Sequence, residues 1–93
     1  MNTIQVNYDL KQPGRNYAAV EEYIKAQGAW AHPLESLWLI RTAKGVAQVR
    51  DELKQHVHPQ DRVLVFNVTG DAWASSWSNE VTEWMKEEMR VAA

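Results

Sequence analysis

The stretch "IQVNYDLKQPG", residues 4–14, decides the fold. Apolar and polar residues alternate in it. Ile4, Val6, Tyr8 and Leu10 share one face; Gln5, Asn7 and Asp9 share the other. A period of two is that of a half-buried strand. "QPGRN" then reads as a turn, because Pro and Gly supply the backbone angles a turn needs. The strand therefore ends on a lone carboxylate, Asp9. An aspartate there can bond the amides that follow it and start the turn. It can also serve as a site residue, and both readings stand at this level.

Asn16 is placed to cap a helix over Tyr17–Gln27, with Tyr17, Val20 and Ile24 on its core face and Gly28 ending it. "AWAHPLESLWLIRT" follows. Pro33 cannot donate to a ladder, so the piece before it predicts a short or edge strand, and "SLWLIRT" a better one, the two pairing antiparallel. In "TAKGVAQVRDELKQHV", Val46, Val49, Leu53 and His56 or Val57 recur at helical spacing. Pro59 stops that helix. "DRVLVFNVT" is the most apolar strand and reads as a central one. Gly70–Asp71 is a turn, and Ser78 is expected to cap a last helix carrying Val81, Trp84, Met85 and Met89.

The predicted order is βαββαβ plus a C-terminal helix. Helices crossing one face of a four-stranded antiparallel sheet give an α+β class, ferredoxin-like sandwich. The chain reads as one domain, with a core over 3–70 and a Trp-rich extension over 71–93. The second sheet face is left for the tail or for a partner chain.

Ninety-three residues suffice for a single core. The chain contains no cysteine. That removes disulfide and thiolate-zinc frameworks and accords with a reducing cytoplasm. "MNTIQV" lacks the charged and apolar regions of a signal peptide. An apolar run such as "LWLI", which no other run exceeds, is far too short for a bilayer, so no membrane partner is expected. The net charge of −2 differs from that of a strongly basic nucleic-acid-binding domain. Lysines and arginines such as Lys11, Arg15, Arg41 and Arg62 leave phosphate contacts open.

Three stretches, in order, carry a resemblance: "VNYDL", "LESLWLIRT" and "DRVLVFNV", with an amphipathic helix in each gap. From about Ile4 to Val68 the chain resembles the Cas2-type proteins, the small CRISPR-associated adaptation subunit, and the related VapD-like and SinR-labelled proteins. The match to the SinR-labelled group runs on through "VTGDAWASSW". The resemblance implies a ferredoxin-like homodimer that handles RNA or DNA. It also implies an aspartate at the end of the first strand of each subunit. In some members this pair flanks a divalent metal and is linked to phosphodiester cleavage; in others the protein is a structural bridge. Asp9 in "NYDL" matches that aspartate, as catalytic and metal-binding residue, with Mg or Mn as the cofactor. The chain departs from the pattern in three ways: no second acid follows closely, the charge is acidic, and the tail is Trp-rich.

Physical chemistry limits what Asp9 can do. Mg²⁺ prefers octahedral oxygen ligands, and one carboxylate does not hold it alone. Two Asp9 side chains meeting across a twofold axis can share an ion, which lowers the pKa of a bound water and polarises a phosphate. The alternative is a non-catalytic dimeric interaction or scaffold protein on the same fold. His56 and His58 form an H-x-H pair at a helix end, where the dipole favours a cation, and zinc needs more ligands than they supply. Trp73, Trp77 and Trp84 read as packing or interface, because aromatic rings bury large areas and no basic residues interleave with them. Glu80, Glu83, Glu87 and Glu88, with Lys86 and Arg90, read as solvated surface. No phosphate loop, nucleophile elbow or dinucleotide fingerprint occurs.

Overall fold

The computed structural model describes residues 1–11 and 17–89. Strand β1 (Asn2–Asp9) leads to α1 (Ala18–Lys25), then β2 (Trp30–Leu34), β3 (Leu37–Thr42), α2 (Val46–Lys54), β4 (Arg62–Asn67) and α3 (Glu80–Glu88). The four strands form one sheet in the order β2-β3-β1-β4. Each neighbouring pair is antiparallel. The molecule is thus a small α+β domain with a four-stranded antiparallel sheet and three helices among the described residues.

The alternation in β1 sorts the two faces. Ile4 and Val6 are fully buried and pack with Val20 and Ile24 of α1, Trp38 and Ile40 of β3, and Val49 and Leu53 of α2. Burying each such aliphatic side chain contributes roughly 1.5–3 kcal/mol. Trp38 also has its polar atom satisfied: Nε1 donates to the Tyr8 hydroxyl at 2.9 Å, and that hydroxyl donates to the Glu35 carbonyl at 3.3 Å. The helix ends at Lys25 rather than Gln27. Gly28 follows at φ 141°, and a Cβ there would collide with the Arg41 carbonyl. The position therefore requires glycine on both counts.

β1 is the central strand, and β4 lies at the edge, contrary to its expected central place. Apolar richness misleads here. Val63 and Val65 pack inward against the α1/α2 core. Leu64 and Phe66 point to the opposite face and stay 58% and 47% exposed. β2 is the other edge, and its pairing is irregular between Ala31 and Leu34, where Pro33 lies.

α3 covers the second face in part. Met89 packs with Ala31 and Leu39, flanked by Leu37, Val68, Trp73, Val81, Trp84 and Met85. The tail itself, not a partner chain, therefore takes this part of the sheet. Asn79, not Ser78, caps the helix: its side chain accepts from Val81 N and Thr82 N, and Thr82 answers with a reciprocal bond. A capping box satisfies amides that the helix itself leaves free, which a serine one residue earlier does not reach. The expected Asn16 cap of α1 lies outside the described residues.

A polar clamp fixes the end of α3. The Thr3 hydroxyl donates to the Glu88 carbonyl at 2.5 Å. Arg41 donates to Thr3 Oγ1 at 2.7 Å and to the same carbonyl at 3.1 Å. Glu88, expected as plain solvated surface, also approaches Arg41 with its carboxylate at 3.8 Å. The Arg41 guanidinium meets the negative end of the helix dipole.

Candidate functional site

The end of β1 is the meeting point of the chemistry-bearing side chains. Asp9 is the last residue of the strand, with its side chain 58% exposed. Its partner across the ladder is Arg62. Lys11 Nζ bridges the Asp9 carboxylate at 2.6 Å. A groove of about 680 Å³ opens there, and Asn7, Asp9, Arg50, Lys54, Asp61 and Arg62 are among its walls.

Elements of different kinds bring these groups together. Alternation along β1 puts Asn7 and Asp9 on one face. Asn7 is tied down, donating from Nδ2 to the Leu64 carbonyl at 3.2 Å and accepting from Gln5 at 3.3 Å. Arg50 and Lys54 stand four residues apart on α2, hence on one side of it. Arg50 is engaged by Asp51 at 2.9 Å, and this hydrogen bond holds its guanidinium above its ordinary pKa. Lys54 and Arg62 make no salt bridge among the described residues.

Asp61 organises the groove and was not singled out in the sequence. Its carboxylate accepts from Lys11 N at 2.7 Å, from His58 N at 2.8 Å and from the Tyr17 hydroxyl at 2.9 Å and 3.1 Å. Desolvation works to raise its pKa. The hydrogen bonds from Lys11, His58 and Tyr17 outweigh it and hold the carboxyl below its usual range. One side chain thus joins the start of the β1–α1 connection, the entry to α1 and the approach to β4. The available signal was the position of an aspartate just after the Pro59 turn, where a carboxylate bonds local amides.

What this arrangement can do follows from the charges. Lys54, Arg62 and Arg50 present donors to an anion. Asp9 offers a single carboxylate to a metal, and Asp61 has its oxygens committed to donors. Among the described residues no cluster of three or more His, Asp or Glu side chains is placed to hold a metal ion. Within one copy, Asp9 is a single carboxylate, short of a ligand set for a divalent cation.

The remaining candidates take structural places. The His56 ring lies 5.5 Å from Tyr23. His58 Nδ1 accepts from Gln60 N at 3.2 Å inside the turn. His32 stacks on Trp38 at 3.7 Å. Trp73 of the connection and Trp84 of α3 pack against Ala31, Leu39 and Met89, and Trp77 remains 38% exposed. A second polar cluster, also unremarked in the sequence, ties α1 to α2: Glu52 accepts from Lys44 Nζ and from the Tyr23 hydroxyl, each at 2.7 Å, and from Gln48 at 3.0 Å. Lys44, then Tyr23 and Gln48, hold the Glu52 carboxyl down at about 2.

No helix among the described residues is long and apolar enough to cross a membrane. The chain matches no family model, no curated protein and no solved structure.

Proposed function

We propose that the chain is a dimeric nucleic-acid-associated protein of the Cas2 type, acting in the cytoplasm, with a ferredoxin-like arrangement of its βαββαβ core. Its groove at the tip of β1 receives the phosphate backbone of RNA or DNA. The element order and the strand order β2-β3-β1-β4 support the fold reading. The observation that carries the functional reading is the exposed Asp9 carboxylate at the mouth of a groove walled by Arg50, Lys54 and Arg62. These cations would hold phosphates, and Asp9 would hold a Mg²⁺ or Mn²⁺ ion that offsets phosphate charge. In the catalytic form of this reading, Asp9 residues from two copies would hold the ion, which would supply an activated water for hydrolysis, one P–O bond forming as another breaks and the leaving oxygen taking a proton.

A second reading is a non-catalytic scaffold, and the Asp9–Lys11 bridge favours it. A carboxylate held 2.6 Å from an ammonium already has its charge met. A metal must then displace Lys11 before any cleavage occurs.

The test is cleavage of RNA and DNA in Mg²⁺ or Mn²⁺ by the wild type and by Asp9→Ala, with binding followed separately. The nuclease form expects metal-dependent cleavage that Asp9→Ala abolishes while binding survives. Equal cleavage by both leaves only the scaffold. Absence of salt-sensitive binding removes the nucleic-acid reading itself.

A further inference from the structure

A second groove lies on the sheet face away from α1 and α2, running from Leu34 of β2 and Leu37 of β3 to Phe66 of β4, the connection after it and α3. Its volume is about 560 Å³, and it shares no lining residue with the groove at the β1 tip. That size falls in the range of small-ligand sites. Phe66 of β4, Trp73 and Trp77 of the connection and Met85 of α3 line it. Phe66 and Trp77 are 47% and 38% exposed, although large aromatic rings usually gain by burial.

The charge in this groove has one sign. Asp71 is the one charged side chain among the described residues that line it. Its carboxylate makes no salt bridge among the described residues. Aromatic rings present a negative face through their quadrupole, so they and the carboxylate attract the same partner. Phosphate, which the β1-tip groove suits, is repelled here. A neutral apolar molecule gains the rings but nothing from Asp71.

We propose that this groove binds a small organic cation, a quaternary or aromatic ammonium, with its charged head against Phe66, Trp73 and Trp77 and Asp71 at the rim. Attraction of an ammonium to an aromatic face is worth about 0.5–2 kcal/mol per well-placed ring, depending on desolvation. The thioether of Met85 supplies a soft, adaptable wall for the alkyl groups. This site is independent of the nucleic-acid reading, because none of its residues belongs to the β1-tip groove.

The test titrates the intact chain with choline and, in parallel, with choline's uncharged isostere, in which carbon replaces the nitrogen. Indole fluorescence reports all five tryptophans of the chain, and the part of the quenching lost in Trp77→Ala belongs to this groove. Saturable quenching by choline is expected, with the isostere roughly tenfold weaker or more. Asp71→Asn keeps the side-chain shape and the turn, and should weaken choline about fivefold. Trp77→Ala should weaken it further, with an unchanged far-ultraviolet spectrum. Asp9→Ala should bind choline as the wild type does, which separates this site from the groove at β1. Equal binding of choline and the isostere would replace the cation by a plain apolar ligand and overturn the proposal. So would binding of neither, or quenching that follows protein concentration instead of choline, which marks a second copy seated in the groove.

Discussion

Asp9 and Arg62 stand directly opposite each other across the β1–β4 ladder, yet the ion pair Asp9 makes is with Lys11, at 2.6 Å. The strand tip therefore carries one acid between two cations. That arrangement sets how readily a metal can reach the carboxylate.

Lys11→Ala removes the bridge. Both side chains are about half exposed, so stability should change by no more than about 1 kcal/mol, as exposed pairs usually show. Mn²⁺ affinity at Asp9 should rise about fivefold, the effect of removing one competing charge at close range in water. Urea melting and a Mn²⁺ titration read the two effects separately. An unchanged Mn²⁺ response in Lys11→Ala would mean that Asp9 does not take metal.

Glu52 makes stability depend on pH in acid. Its carboxyl sits at about 2 in the folded chain against an ordinary 4.5. A folded value below the unfolded one means that the unfolded chain binds the proton more tightly. The contribution is therefore fully present above about pH 4.5 and is lost as pH falls through about 2. Glu52→Gln should flatten the stability curve across that window. Thermal midpoints measured from pH 6 to pH 2, for the two proteins, check it.

Trp38 and Tyr8 are coupled through one hydrogen bond inside the core face. Trp38→Phe and Tyr8→Phe should each cost about 1–3 kcal/mol, since each leaves a polar atom without its partner or a smaller ring in its place. The double variant should cost less than the sum by about 0.5–1.5 kcal/mol. Chemical denaturation of the four proteins closes this cycle, and strict additivity would mean that the bond carries no energy.

Arg41→Ala should loosen α3 while leaving the α1/α2 face intact. Arg41 meets both Thr3 and the Glu88 carbonyl, and the loss leaves the helix end without its charged partner. A cost of about 1–3 kcal/mol is expected. Hydrogen exchange should speed up within 80–89 and hold steady at Val49 and Leu53. Uniform acceleration across the chain would make α3 part of one cooperative unit.

Much of this architecture was legible in the residues. The two-residue period of Ile4, Val6 and Tyr8 gave the inward face of β1, and the spacing of Val20 with Ile24 and of Val49 with Leu53 gave the core faces of α1 and α2. Asp9 was legible as the tip of its strand. β4 was misplaced because V-L-V-F is apolar on both faces, and composition does not say that one of those faces meets solvent. The cap of α3 was missed by one residue because Ser78 and Asn79 are both good caps, and Thr82 three residues after Asn79 decides between them. Asp61 and Glu52 escaped notice for another reason. Their partners are Lys11 and Tyr17 in one case, Tyr23 and Lys44 in the other, and only the fold brings those to them.

The bond between Thr3 and Glu88 joins groups 85 positions apart. Closing so long a loop has the greatest entropic cost of any contact in the clamp, and nothing local hastens it. The α1/α2 side, built from nearer neighbours, can settle first. Refolding from denaturant at rising protein concentration should therefore lose yield to self-association, because Ala31 and Leu39 stay bare until Met89 closes over them.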